Sequence, residues 1–430
     1  MILKVKSTEA LKGEAYLPPS KSYSIRAFII AACGGTSKII CPSDCDDARV
    51  AMTVARSLGA KIKKVGDNDW FVQADSSAVP ARVINVKESG TVLRFLLPLL
   101  GLHKQKVVVK GEGTLKGRPN YHLTKVLRAH GVDIHGHGPK ESVPLRVSGG
   151  NFDPGNIVID GTLSSQFISA LLIACPRLAN NTKIFVEGKK IVSTDYIAMT
   201  RQVLKLCGIN IIKVNARRYN IPGRQKFKGL RRFHVPSDYG LAAFLMAAGA
   251  LQKSNITLRG CFDDSFIQAD GWIFAFLKRM GVKLQKTSRS IKIKGPFQLK
   301  GGDFSLQSCP DLVPVMAVLG LFAKGKTRLY NIRHARAKES DRISDLRKEL
   351  LKIGAKVKET KNELIVYPQD NYKENVLINP HHDHRLAMAF SVLGTKIGVA
   401  IKDIECVNKS YPGFVKDFSR IGAVVKKQLK

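Results

Sequence analysis

Long apolar runs are absent: no stretch approaches the ~18 apolar residues of a membrane span, so no membrane partner is expected. Met1 to Ala10, with Lys4, Lys6 and Glu9, lacks a signal-peptide core, and a cytoplasmic location is the expectation. Cysteine is scattered. Of the eight, only Cys41 and Cys45 lie close, and no partner pair at zinc-knuckle spacing follows them, which argues for buried thiols in a reducing compartment over a zinc site. Aromatics, 7% of residues, are too few to suggest a stacking platform for single-stranded nucleic acid. Acids are scarce, 34 against 70 Lys and Arg, for a formal charge of +36. Such a surplus ordinarily points to nucleic acid. Here the bases are spread along the chain, with short clusters at Arg217-Arg218 and Arg224 to Arg232, and there is no RNP, zinc-finger or arginine-rich arm. No specific nucleic-acid partner is expected. A strongly anionic small substrate accounts for a few of the cations and leaves the others unexplained.

What is present is a core and a repeat. Apolar residues make up 44% of 430, enough for a sizeable interior in two or three domains. Leu17 to Arg26, Leu-Pro-Pro-Ser-Lys-Ser-Tyr-Ser-Ile-Arg, joins a proline-stopped strand to an Ala/Ile-rich helix. Ser20 can cap that helix, the first-turn N–H groups present the positive end of the dipole, and Lys21 and Arg26 add full charges. A capped helix with two snorkelling cations explains one such turn equally well. Repetition separates the two readings. A polar turn followed by an Ala/Leu/Ile helix recurs at Ser20, Ser89, Ser164, Ser237, Asp311 and Asp383, spaced by roughly 70 to 75 residues. In step with it, a helix runs into Gly and then a β-branched strand at Gly59, Gly131, Gly208, Gly281, Gly354 and Gly422, the pattern of a left-handed helix stop. The period is far longer than a solenoid's, which predicts six copies of a small α/β fold.

The turns also hold chemistry. Glu88-Ser89-Gly90-Thr91 leads to Arg94, with Gly90 open to close approach by a ligand, and the Gly-broken loop Gly111 to Pro119 ends in Arg118. Ser164-Ser165-Gln166 places two hydroxyls and an amide at one helix start. Asp311 follows Pro310 at a start where an acid suits the dipole. Arg333 to Arg342 has little apolar periodicity and reads as a loop, offering Lys338 and Arg342 to an anion and Glu339 to proton transfer. His381-His382-Asp383-His384-Arg385 invites a metal, but consecutive residues point different ways, so Asp383 reads as a cap and Arg385 as an anion ligand. Lys409 closes the series. Neither metal nor cofactor is expected.

Together, Ser20-Lys21-Ser22 with Arg26, Gly90-Thr91 with Arg94, Ser164-Ser165-Gln166, Lys338-Glu339-Ser340-Asp341-Arg342, Asp383-His384-Arg385 and Lys409 with Pro412 resemble the 5-enolpyruvylshikimate-3-phosphate synthase family, in order and over nearly the whole chain. The resemblance implies an α/β (α+β) fold, a two-domain inside-out α/β barrel of six βαβαββ repeats with the active site in the interdomain cleft. The chain is expected to cross between domains near Pro18 and Arg231, giving one discontinuous domain of residues 1–17 with 232–430 and another of residues 18–231. A monomer is expected.

The implied reaction moves the enolpyruvyl group of phosphoenolpyruvate to the 5-hydroxyl of shikimate 3-phosphate and releases phosphate, a step toward chorismate and the aromatic amino acids. It needs an acid for the methylene carbon, a base for the hydroxyl and many cations. The resemblance implies Asp311 as base, Glu339 as proton donor, and Lys21 as a phosphate ligand with a share in proton transfer. It implies Lys21, Ser22, Arg26, Ser164, Ser165, Gln166, Ser193, Tyr196, Asp311, His334 and Lys338 around shikimate 3-phosphate. Around phosphoenolpyruvate it implies Lys21, Gly90, Arg118, Gln166, Arg342, Arg385 and Lys409. Lys21, as an exposed helix-start cation, is expected to contribute little to stability.

Three departures stand out: Glu88 and His334 where many members have Asn, and Ser237-Asp238-Tyr239-Gly240 without the usual Ser pair. His334 is expected to gain a proton beside a substrate phosphate, raising affinity between about pH 8 and pH 6 relative to an Asn. Two alternatives differ in class. A UDP-N-acetylglucosamine enolpyruvyl transferase would need a reactive Cys within Gly111 to Pro119, which has none. A basic nucleic-acid-binding protein would be retained on DNA at physiological salt.

Overall fold

The structure is a computed structural model describing residues 1–75 and 77–428. Its building block is clearest in the second repeat. Strand Val83–Asn85 leads through helix Gly90–Leu100 to the parallel strand Val107–Lys110, and helix Tyr121–Ala129 then leads to a hairpin of Asp133–His137 and Ser142–Ser148. Ser142–Ser148 pairs antiparallel with both Val107–Lys110 and Asp133–His137, closing a four-stranded sheet. A parallel pair requires a crossover, and the first helix supplies it. The same strand order recurs in all six sheets. Three are completed from elsewhere in the chain. Phe233–His234 starts the sheet that holds Gly35–Ile40, Ala10–Tyr16 starts the sheet that holds Lys253–Arg259, and Ile2–Val5 pairs with Val399–Ile401 and Val425–Gln428.

Contacts divide the chain into two units, Ser20–Val235 and Met1–Pro19 with Pro236–Lys430. In the first, helix Gly90–Leu100 packs on Lys21–Ala31 and Ser165–Ala174; in the second, Tyr239–Leu251, Val313–Leu321 and His384–Ile397 pack on one another. Every residue of Tyr239–Leu251 and of Val313–Leu321 is buried, which is why these segments are apolar all round and not striped. Truncating a side chain such as Phe244, 0% exposed, to Ala should cost about 3–5 kcal/mol. The outer helices end as expected: Gly59, Gly131, Gly208, Gly281, Gly354 and Gly422 all have φ between +80° and +98°.

The central helix starts differ in how they are capped. Ser20, Ser164 and Asp383 accept from backbone N–H groups of their first turns. At the fourth start the cap is Asp238, one residue past Ser237, accepting from the Leu241 N–H. Ser89 makes no side-chain cap. Asp311 does not cap either: it sits in a 3₁₀ turn, Pro310–Leu312, ahead of helix Val313–Leu321, and its carboxylate is taken by ion pairs.

Part of the excess charge has a structural place. Edge strands Lys61–Lys64, Ile212–Lys213, Leu284–Lys286, Lys356–Glu359 and Val425–Gln428 each carry Lys, and a charged edge resists pairing with a second sheet.

Candidate functional site

In unit Ser20–Val235 the helix starts carry two clusters. Lys21 Nζ lies 3.1 Å from Asp47 Oδ2, with side chains only 13% and 7% exposed. The expectation of an exposed Lys21 is therefore corrected: its ammonium is paired with Asp47, and the segment leading to Asp47 is tied to the Lys21 helix by the Ser43 N–H donating to Ser24 Oγ at 2.8 Å. Arg26 is buried. Its Nε donates to Thr200 Oγ1 at 2.9 Å, Nη1 to the Ser22 carbonyl at 2.9 Å and Nη2 to the Tyr196 carbonyl at 3.0 Å. Phe95 and Tyr196 lie under the guanidinium, 5.3 and 5.9 Å from its carbon. Burial pulls its pKa down to about 10, so it stays charged at neutral pH. Ser22, Arg26 and Tyr196 are thus in one cluster, and Ser193, in the left-handed region at φ 54°, starts the helix that holds Tyr196.

The second cluster joins two repeats. Gln166 Oε1 accepts from Arg94 Nη1 at 2.5 Å, and its Nε2 donates to Thr91 Oγ1 at 2.9 Å. Arg94 also donates to the Pro119 carbonyl and Asn120 Oδ1, and stacks over Phe167 at 5.3 Å, so it fixes the turns in place. Arg118 is buried against Gly90, where a Cβ would lie 2.7 Å from Nη1 and 2.8 Å from Cζ. Ser164 accepts from the Gln166 N–H, and Ser165 is buried beside it. Glu88 now has a role: its Oε2 accepts from the Thr114 N–H and Oγ at 3.2 and 2.9 Å, pinning the loop that leads to Arg118.

In the other unit the charged groups form one network. Arg342, 1% exposed, donates from Nε to Asp383 Oδ2 at 2.7 Å, from Nη1 to Asp311 Oδ1 at 2.6 Å and from Nη2 to Glu339 Oε2 at 2.8 Å. Arg385 Nη2 lies 2.9 Å from Asp311 Oδ2 and 3.4 Å from Asp270 Oδ2, and Lys338 Nζ lies 3.4 Å from Asp311 Oδ1. Asp311 is therefore shared among three cations. Burial raises its pKa, but Arg385, Lys338 and Arg342 outweigh that and hold it well below the usual carboxylate range. Arg342 keeps its proton despite burial, held by Asp383, Asp311 and Glu339. Lys409 is buried at the end of the 3₁₀ segment Ile404–Lys409.

His334 differs from a solvated imidazole. It is 4% exposed, and burial, with Lys338 adding, pushes its pKa down to about 3. It is neutral at pH 7 in the unliganded protein. The histidine run also disperses: His381 Nε2 meets Glu349 Oε1 at 3.1 Å, His382 Nδ1 meets Asp403 Oδ2 at 2.5 Å, and His384 is buried. Among the described residues no group of three or more His, Cys, Asp or Glu is placed to hold a metal.

Sequence reading missed Asp47 and Asp270, and read Asp383 as a cap only. Asp47 was hidden because an Asp pair in a first helical turn already has a dipole explanation. Asp270, in the 3₁₀ turn Ala269–Gly271, carries no sequence signal.

Six sheet-and-helix repeats bearing basic, hydroxyl and carboxylate groups at buried helix starts define a fold of the enolpyruvyl-transferase class. The solved enolpyruvyl transferase NikO of Streptomyces tendae has that fold, with a TM-score of 0.78 at 17% identity over 99% of this chain and 98% of its own. The chain belongs to the EPSP synthase (3-phosphoshikimate 1-carboxyvinyltransferase) family, whose model matches residues 5–418. It is 36% identical to the 3-phosphoshikimate 1-carboxyvinyltransferase of Methanosarcina mazei over 98% of both chains. It is 35% identical to that of Methanocaldococcus jannaschii over 99% of both. The solved EPSP synthase of Acinetobacter baumannii superposes with a TM-score of 0.80 at 25% identity, covering 99% of this chain and all of that one.

Proposed function

We propose that this chain transfers the enolpyruvyl group of phosphoenolpyruvate to the 5-hydroxyl of shikimate 3-phosphate and releases phosphate, as a 3-phosphoshikimate 1-carboxyvinyltransferase of the shikimate pathway. The observation that carries the reading is the network around Arg342, which ties the candidate base Asp311 and candidate acid Glu339 to one guanidinium. Glu339 would protonate the methylene carbon, and Asp311 would take the proton of the attacking hydroxyl. Arg118, Arg342, Arg385 and Lys409, with Gly90 leaving room for Arg118, would hold phosphoenolpyruvate; planar guanidinium forks suit its carboxylate and phosphate. Lys21, Ser22, Arg26, Ser164, Ser165, Gln166, Ser193, Tyr196, His334 and Lys338 would hold shikimate 3-phosphate, Lys21 and Gln166 serving both substrates. An anion that takes Arg342, Arg385 or Lys338 also loosens the hold on Asp311 and strengthens it as a base.

The two units are proposed as the two domains, each supplying part of this residue set. No helix is long and apolar enough to cross a membrane among the described residues. A cytoplasmic monomer without a nucleic-acid partner is part of the same reading. The decisive assay follows phosphate release with each substrate omitted in turn; release that ignores shikimate 3-phosphate would end it.

A further inference from the structure

Asp270 is a buried acid that the reaction as described leaves without a task. It is 6% exposed, and its Oδ2 is 3.4 Å from Arg385 Nη2, the same nitrogen that meets Asp311 Oδ2 at 2.9 Å. One guanidinium nitrogen therefore faces two carboxylates. The approach depends on residue 240. A Cβ there would lie 2.1 Å from Asp270 Oδ2 and 3.0 Å from Arg385 Nη1, and Arg385 Nη1 donates to the Gly240 carbonyl at 3.3 Å. The fourth turn, which departs from the family by lacking a Ser pair, is thus the floor on which Asp270 and Arg385 meet.

We propose that Asp270 is a proton-linked positioning residue for phosphoenolpyruvate: it holds Arg385 in the unliganded protein and takes up a proton from solvent when the anionic substrate engages that guanidinium. The proposal rests on the reading that Arg385 binds phosphoenolpyruvate. Its physical basis is charge balance. The charged groups acting most strongly on Asp270 are Arg385 from helix His384–Ile397, Asp311 from the turn Pro310–Leu312, Asp238 from the cap of helix Tyr239–Leu251, and Lys338 from the loop after Arg333–Ala337. Burial pushes the Asp270 pKa up to about 7; Arg385 and Lys338 pull against this, and Asp311 and Asp238 add to it. A substrate anion on Arg385 removes the largest favourable partner of the charged form and adds negative charge beside it. Both changes favour the protonated acid. Linkage then requires phosphoenolpyruvate to bind more tightly as pH falls through the pKa of free Asp270.

The test titrates phosphoenolpyruvate calorimetrically into the full chain without shikimate 3-phosphate, so that no turnover occurs, at pH 7 in two buffers of different ionisation enthalpy. Wild type should take up about half a proton per phosphoenolpyruvate beyond the ligand's own ionisation, and Asp270→Asn none. From pH 8 to pH 6 wild type should gain about tenfold in affinity relative to Asp270→Asn, because free Asp270 fills its proton site only over that range. Titration of the ligand phosphate cancels in that comparison. Parallel curves for the two proteins, with binding lost in Arg385→Ala, overturn the role of Asp270 alone. Unchanged affinity in Arg385→Ala overturns the assignment of Arg385 and this proposal with it. Should Asp270→Asn fail to fold, the wild-type proton count decides by itself: an uptake no larger than the ligand's own ionisation overturns the proposal.

Discussion

Lys21→Met removes a cation assigned to both substrates and leaves Asp47 behind. The pair is 3.1 Å apart with side chains 13% and 7% exposed, which sets the magnitude. At an effective dielectric near 20, two charges at that distance attract by about 5 kcal/mol, most of it offset by the desolvation of both. Deleting one member of a fully buried pair costs about 3–5 kcal/mol, and of an exposed pair at most about 1 kcal/mol. Lys21 falls between these limits, so the variant should lose about 2 kcal/mol. For a unit of this size that lowers the unfolding midpoint by about 4–8 °C. Turnover in the phosphate-release assay should nearly vanish. The double variant Lys21→Met/Asp47→Leu has no stranded carboxylate; calorimetry should find most of the lost stability restored, while turnover stays absent. An unchanged midpoint in Lys21→Met, or activity regained in the double variant, would refute the reasoning.

Gly90→Ala places a methyl group within 2.8 Å of the Arg118 guanidinium carbon, so the KM for phosphoenolpyruvate should rise about tenfold, near 1.4 kcal/mol, with kcat within threefold; an unchanged KM would mean that Arg118 is not a substrate ligand. His334 has a folded pKa of about 3 and is neutral from pH 6 to pH 8, so affinity for shikimate 3-phosphate in wild type and His334→Asn should follow parallel pH curves. Because that pKa is depressed below the unfolded value of about 6.5, the unfolded chain binds the proton better. Wild-type stability relative to His334→Asn should be complete above about pH 6.5 and fall by up to about 1.4 kcal/mol per unit toward pH 3; acid-unfolding curves check the sign. Exhaustive chelation should leave turnover intact, and an enzyme killed by chelator and revived by zinc would return the His381 to His384 segment to consideration as a metal site.

Local signals made most of the fold readable. A Ser or Asp cap acts on an N–H group two or three residues away, and a Gly stop acts through its own φ, so both survive in a window of a few residues. That is why the six helix stops and the capping roles of Ser20 and Asp383 agree with the structure. Where a residue had a sufficient local explanation, the sequence misled. Asp311 looked like a helix-start acid, and Lys21 looked like a solvated one-turn cation, because nothing within a few residues of either names its partner.

The partners were decided by tertiary structure. Asp311 meets Arg342 from 31 residues away, and Asp270 meets Arg385 from 115 away. The sequence determined the repeat, the charged residue types and their places at helix starts, since these depend on short-range backbone chemistry. Only the packing of three apolar helices per unit decided which cation faces which carboxylate. It also set how far each is removed from water, and so lowered the pKa of His334 and raised that of Asp270. Coulomb and desolvation energies depend on distance and burial, and a chain does not possess either until it folds.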